Sequence, residues 1–141
     1  MRRTLITAAL SLVALLTANA QTKIYCDITR SPLGKDVCLS VDFGQESVGV
    51  TDDRLVDENG ELLLFESIID GLNYMSSLGW NLEEVYVIPS GGNGSSVDGR
   101  THWVMSKIVG EDGDPTPLRT RQQVRDEQKR LKKMKKEAKR E

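Results

Sequence analysis

Between residues 21 and 110 a single stretch carries the helical period, and every other apolar run is of strand length. That stretch is Ser67 to Leu78. At about 100° per residue, Ile68, Ile69, Gly71, Leu72, Met75, Ser76 and Leu78 share one half of the wheel, and Asp70, Asn73, Tyr74 and Ser77 the other. Ser67 is a good N-cap, Asp70 favours the positive end of the helix dipole, and Gly79 stands where a left-handed C-cap belongs. Gly71 and Ser76 on the buried half let such a helix lie close to a sheet.

The runs around it read as strands. Ile24 to Ile28 and Val37 to Phe43 are joined by Ser31-Pro32-Leu33-Gly34, a Pro/Gly turn signal. In the second run Val37, Leu39, Val41 and Phe43 alternate with Cys38, Ser40 and Asp42, so one face is dry and the other wet. Arg54 to Glu58 and Glu61 to Phe65 flank Asn59-Gly60, which predicts a type I′ hairpin. Trp80 to Ile88 and His102 to Val109 supply two more strands, linked through Gly91, Gly92, Gly94 and Gly99 by a long loop. There is no regular βαβ alternation. The expected fold is therefore α+β, a small antiparallel sheet with one helix packed on it, plus a charged C-terminal tail.

Charge is divided unevenly along the chain. Residues 21–116 hold six basic and seventeen acidic residues, a balance of −11; residues 117–141 hold eleven basic and four acidic, a balance of +7. At the other end Met1-Arg2-Arg3 precedes an apolar run from Leu5 to Leu16, then Ala18-Asn19-Ala20. Signal peptidase accepts small side chains in that small-x-small pattern, so residues 1–20 read as a secretion signal with Gln21 as the first mature residue. The run is well short of the roughly 20 residues that span a bilayer. No later run is of spanning length, so the mature chain is expected in the periplasm or outside the cell. The organisation expected is signal 1–20, α+β domain 21–110, and linker plus basic, helical or disordered tail 111–141. With 141 residues and two cysteines, a multi-span membrane protein and a disulfide-dense scaffold are excluded.

The segment Leu72-Asn73-Tyr74-Met75-Ser76-Ser77-Leu78-Gly79-Trp80-Asn81-Leu82, followed by a loop and an apolar strand ending near Lys107, resembles a family of small bacterial domains of unknown function. Their pattern is a helix ending in Gly-Trp, then a hairpin whose last strand ends in an apolar-Lys-Arg signature. Ile24-Tyr25-Cys26 and Arg54-Leu55-Val56-Asp57-Glu58-Asn59-Gly60 also resemble small exported relatives from Gram-negative bacteria. The likeness covers roughly residues 23–109. Asn81 stands where an acidic residue commonly follows the Trp, and Ile108 where a basic residue completes the signature. The resemblance implies the fold and carries no activity.

Few residues bear chemistry. If Cys26 faces the core with Ile24 and Ile28, Cys38 points to the opposite face, so the two are expected to be unpaired. His102 is the sole histidine and reads as a strand-edge polar residue, since nothing in the sequence places a carboxylate beside it. Glu83 and Glu84 occupy adjacent strand positions, which point to opposite faces and make no acid/base pair. Asp57, Asn59, Gly60 and Glu66 fit four calcium-loop positions, but Leu55 falls on the first, so a hairpin explains them better. Asp112-Gly113-Asp114 is no stronger. Gly91 to Gly94 lacks the features of a phosphate loop, and Asn93-Gly94-Ser95 is a glycosylation sequon that a bacterial chain would not use. Trp80 and Trp103 are expected to anchor the core. No metal or cofactor is expected.

The tail differs in kind. Arg125, Lys129, Arg130, Lys132, Lys133, Lys135, Lys136, Lys139 and Arg140 are candidates for contact with an anionic partner by counterion release. Outside the cytoplasm such partners are lipopolysaccharide, another anionic envelope polymer, an envelope protein or stray nucleic acid. No aromatic residue interleaves with the basic ones, so specific nucleic-acid binding is not expected. The bland readings are a solvated tail or one that folds back on the acidic body. The expected function is a non-enzymatic exported interaction module, an acidic body with a cationic contact. The alternative is ligand or partner binding at the sheet edge and loop 90–101. An enzyme would have only His102, Glu83 or Glu84 and Cys38 to draw on.

Overall fold

The computed structural model describes residues 21–45, 51–89 and 99–139. The stretch 1–20 that reads as a secretion signal, and most of the glycine-rich stretch with its sequon, lie outside the described residues. Strands β1 (Thr22–Leu33), β2 (Asp36–Asp42), β3 (Asn81–Pro89) and β4 (Gly99–Val109) form one antiparallel sheet in the order β2-β1-β4-β3. Helix α1 (Ile68–Ser77) packs on β2, and helix α2 (Arg121–Glu137) closes the chain. The fold is α+β.

The first turn lies later than the Pro/Gly signal suggests. β1 continues through Pro32, and the chain reverses at Gly34, whose φ is +62°. Pro32 is tolerated for a specific reason. Its partner Val37 directs its own N–H and C=O away from β1, to Phe65 (2.8 and 2.9 Å). The Pro32 nitrogen therefore faces the other side of β1, where the pairing with β4 has already ended at Thr29–His102.

The Asn59-Gly60 turn is a hairpin of a different type. Gly60 has φ +84°, but Asn59 does not have positive φ, whereas a type I′ turn needs it at both central positions. Gly60 N donates to Asp57 O and Asp57 N to Glu61 O, the pattern of a tight turn closed by a left-handed glycine. The flanking segments make isolated bridges rather than strands of the sheet. Arg54 bridges Ser40 and Phe65 bridges Val37, so this arm shields the outer edge of β2.

Helix α1 forms where its caps dictate. Ser67 accepts a hydrogen bond from Asp70 N at 3.1 Å, and Gly79 has φ +88°. Gly71 and Met75 are buried against the core. The buried stripe is offset from the wheel, however: Ile69 and Ser76 are exposed, while Tyr74 packs on Phe65 with ring centroids 5.5 Å apart. The helix lies over the flank of the sheet, and the 61–65 arm adds an apolar wall on one side. The core comprises Cys26, Ile28, Val37, Leu39, Val41, Leu55, Phe65, Met75, Trp80 and Met105.

Residues 111–120 are held to the body. Lys107, 7% exposed, reaches Asp114 at 2.5 Å and Thr116 at 2.8 Å. Thr120 is fully buried and bridges Leu55. Its hydroxyl accepts from Gln123 N while Gln123 Oε1 accepts from Thr120 N, a capping box that starts α2.

Candidate functional site

Helix α2 carries the basic residues singled out above. Its first turns are tied down. Arg125 lies 3.5 Å from Asp52, Gln122 N donates to Asp52 O at 2.9 Å, and Arg119 binds Glu127 at 3.0 Å. Val124 packs close to Gly60. Lys129 pairs with Asp126 at 3.4 Å within the helix. Beyond these the helix is exposed on all sides, with no buried residue in its length. Among the described residues Arg130, Lys132, Lys133, Lys135, Lys136 and Lys139 have no ion-pair partner. Arg140 lies outside the described residues. The basic residues thus divide into docked Arg125, locally paired Lys129, and a free cationic set at the distal end.

A second cluster sits on the open face of the sheet. Register places Arg54, Ser40, Thr29, His102 and Tyr86 in one row across the strands, all on the face opposite the core. His102 is not a strand-edge residue, because β4 lies between β1 and β3. Nor does it lack a partner. Its Nδ1 is 2.7 Å from Asp27 Oδ2, an oxygen that also accepts from the Tyr86 hydroxyl at 3.0 Å. The Tyr86 and His102 rings stack at 4.8 Å and 15°. A carboxylate only accepts, so it sets the imidazole with its proton on Nδ1. Desolvation and the neighbouring Asp27 hold the Tyr86 hydroxyl above its ordinary pKa. Asp27 Oδ1 is buried without a hydrogen-bond partner among the described residues.

This cluster borders a polar cleft of about 410 Å³ whose lining includes Thr29, Ser31, Ser40, Asp42, Asp53 and Arg100. The carboxylate–imidazole pair is half of a nucleophile-activating arrangement. The other half is missing: among the described residues no serine, threonine or cysteine hydrogen-bonds to His102.

The glutamates correct a second expectation. A bulge between Leu82 and Glu84 shifts the register of β3, so Glu83 and Glu84 reach the same face. Glu83 accepts from Ser106 and pairs with Lys23 at 2.6 Å; Glu84 lies opposite Val104. These contacts hold the Glu83 carboxyl below its usual range, Lys23 contributing most. A carboxylate so engaged with its neighbours is a structural group.

Both cysteines are free and buried. Burial pushes the Cys26 thiol up to about 12, and also raises that of Cys38, which lies near the Arg54–Asp52 pair. Neither is a ready thiolate. Trp80 is buried and Trp103 packs against the core. Asp57 is occupied in capping its turn, accepting from Asn59 N and Glu61 N at 2.9 Å each. Among the described residues no group of three acidic, histidine or cysteine side chains is placed to hold a metal ion.

No family model, curated protein or solved structure matches this chain. The functional reading therefore rests on the residues themselves.

Proposed function

We propose that the protein is an exported, non-enzymatic interaction module that holds an anionic envelope partner through the distal half of α2. One observation supports this above the others. Lys132, Lys133, Lys135, Lys136 and Lys139 extend from a domain of opposite charge, exposed and without ion-pair partners among the described residues. A tail that merely neutralised the body would lie on it. Here only the first turns do so. The capping box and the Arg125–Asp52 contact anchor the first turns, and the residues beyond them are exposed. The reading of residues 1–20 as a secretion signal supports a contact outside the cytoplasm.

The test is retention of the chain from Gln21 on an immobilised anionic polymer across a salt series. Replacing those five lysines with glutamine should remove most of the retention and flatten its salt dependence. Unchanged retention sinks the reading. Removing the tail is the poorer experiment, because Asp114 and Thr120 belong to the body.

The cleft beside Asp27 and His102 supports a second reading, a site for a small polar ligand. Hydroxyls of Thr29, Ser31 and Ser40, together with Arg100, offer donors there. A ligand whose binding survives the five-lysine change but is lost in Arg100→Ala would favour it.

A further inference from the structure

We infer that the surface α2 fits is an anionic phospholipid bilayer, along which the helix lies without crossing it; this rests on the cationic-helix reading above. Charge alone does not separate a lipid surface from a soluble polyanion. The distribution of apolar residues does. At about 100° per residue, Leu131, Met134 and Ala138 fall within an arc of about 60°. Lys135, Lys139, Lys132, Lys136 and Lys133 fill the adjoining arc of about 160°. Leu131 is 51% and Met134 64% exposed, so this stripe is not covered by any of the described residues.

The stripe continues the line of Val124, which is in contact with the body at Gly60. On that side Glu127 separates Val124 from the stripe, so the free apolar run begins at Leu131. A soluble polyanion has no use for Leu131 and Met134. A bilayer surface accepts both features at once, the stripe in the upper acyl region and the lysines among the headgroup phosphates. No helix among the described residues is long and apolar enough to cross a membrane. The stripe is thin, so electrostatics dominates and the attachment is salt-sensitive and reversible.

The experiment is sedimentation of the chain from Gln21 with vesicles, in parallel with retention on heparin. One vesicle is phosphatidylcholine alone, the other equal parts phosphatidylcholine and phosphatidylglycerol. Three proteins are compared: the parent, the five-lysine glutamine variant, and Leu131→Ser/Met134→Ser. The last changes only exposed side chains, and circular dichroism checks that its helix persists. The parent should bind the anionic vesicle and not the neutral one. Each lysine removed should weaken that binding about fivefold. The double serine variant should bind heparin as the parent does but lose about tenfold in vesicle affinity. A double serine variant that keeps parental vesicle affinity, or that loses heparin and vesicle binding equally, overturns the lipid assignment. So does a parent that binds heparin but not the anionic vesicle, and the polyanion reading then stands. A parent that binds neither overturns both.

Discussion

Asp27 and His102 stand 75 positions apart in the chain, and the antiparallel register of β1 on β4 brings their side chains to 2.7 Å. The same Asp27 oxygen takes the Tyr86 hydroxyl from β3 at 3.0 Å. One carboxylate thus ties together three neighbouring strands on the open face of the sheet.

Asp27→Ala should lower stability by about 1–3 kcal/mol, because it leaves the His102 N–H and the Tyr86 hydroxyl without their acceptor. Tyr86→Phe removes only one donor and should cost about 1 kcal/mol or less. Urea unfolding of the two variants gives both numbers. An Asp27→Ala protein as stable as the parent would show that this cluster holds nothing together.

Gly71 marks the closest approach of α1 to the sheet. A Cβ there would lie 2.9 Å from Leu39 Cδ2 and 3.1 Å from Leu39 Cγ, and Leu39 is fully buried. Alanine gains about 1 kcal/mol in helix propensity but overpacks the site at a cost of about 1–3 kcal/mol. Gly71→Ala should therefore destabilise on balance. On a Leu39→Val background the same change should be neutral or favourable. Thermal melts of the four proteins in this cycle check the coupling.

The Lys107–Asp114 pair should shape the acid limb of the stability curve. Burial pushes the Asp114 carboxyl upward, but the hydrogen bonds from Lys107 and Thr116 outweigh it and hold the pKa below the ordinary 3.8. A carboxyl depressed on folding adds stability that is present above pH 3.8 and fades as the pH falls through the lower folded value. Asp114→Asn should flatten that part of the curve. Lys107→Ala leaves a part-buried carboxylate without its ammonium partner and should cost about 1–3 kcal/mol at neutral pH. Denaturant titrations from neutral to strongly acid pH read both effects.

The two thiols should be silent in the native protein. Cys26 is 3% exposed with its pKa pushed up to about 12, and Cys38 is fully buried. An aromatic disulfide reagent at neutral pH should find no fast-reacting group in the native state and two in denaturant. One reactive thiol before unfolding would contradict the burial described.

Local features were legible in the chain. Ser67, Asp70 and Gly79 set the bounds of α1 because capping depends on neighbours within one turn. The alternation in β2 correctly set Cys26 and Cys38 on opposite faces, because a strand's period is a property of its own backbone. The extension of β1 through Pro32 to Leu33, the bulge at Glu83 and the exposure of Ile69 were not legible. Each depends on which strand or arm lies alongside.

The amino-acid order alone determined one α+β layer, its single body helix, the unpaired cysteines and the charge split between body and tail. Tertiary structure decided the rest. It brought Asp27, Tyr86 and His102 into one cluster, drew Asp114 back to Lys107 from a segment that reads as a linker, and left half of α2 free. Periodicity and capping are fixed by contacts a few residues apart. Pairing register, and which charges find partners, are set by strands that meet only when the sheet has closed.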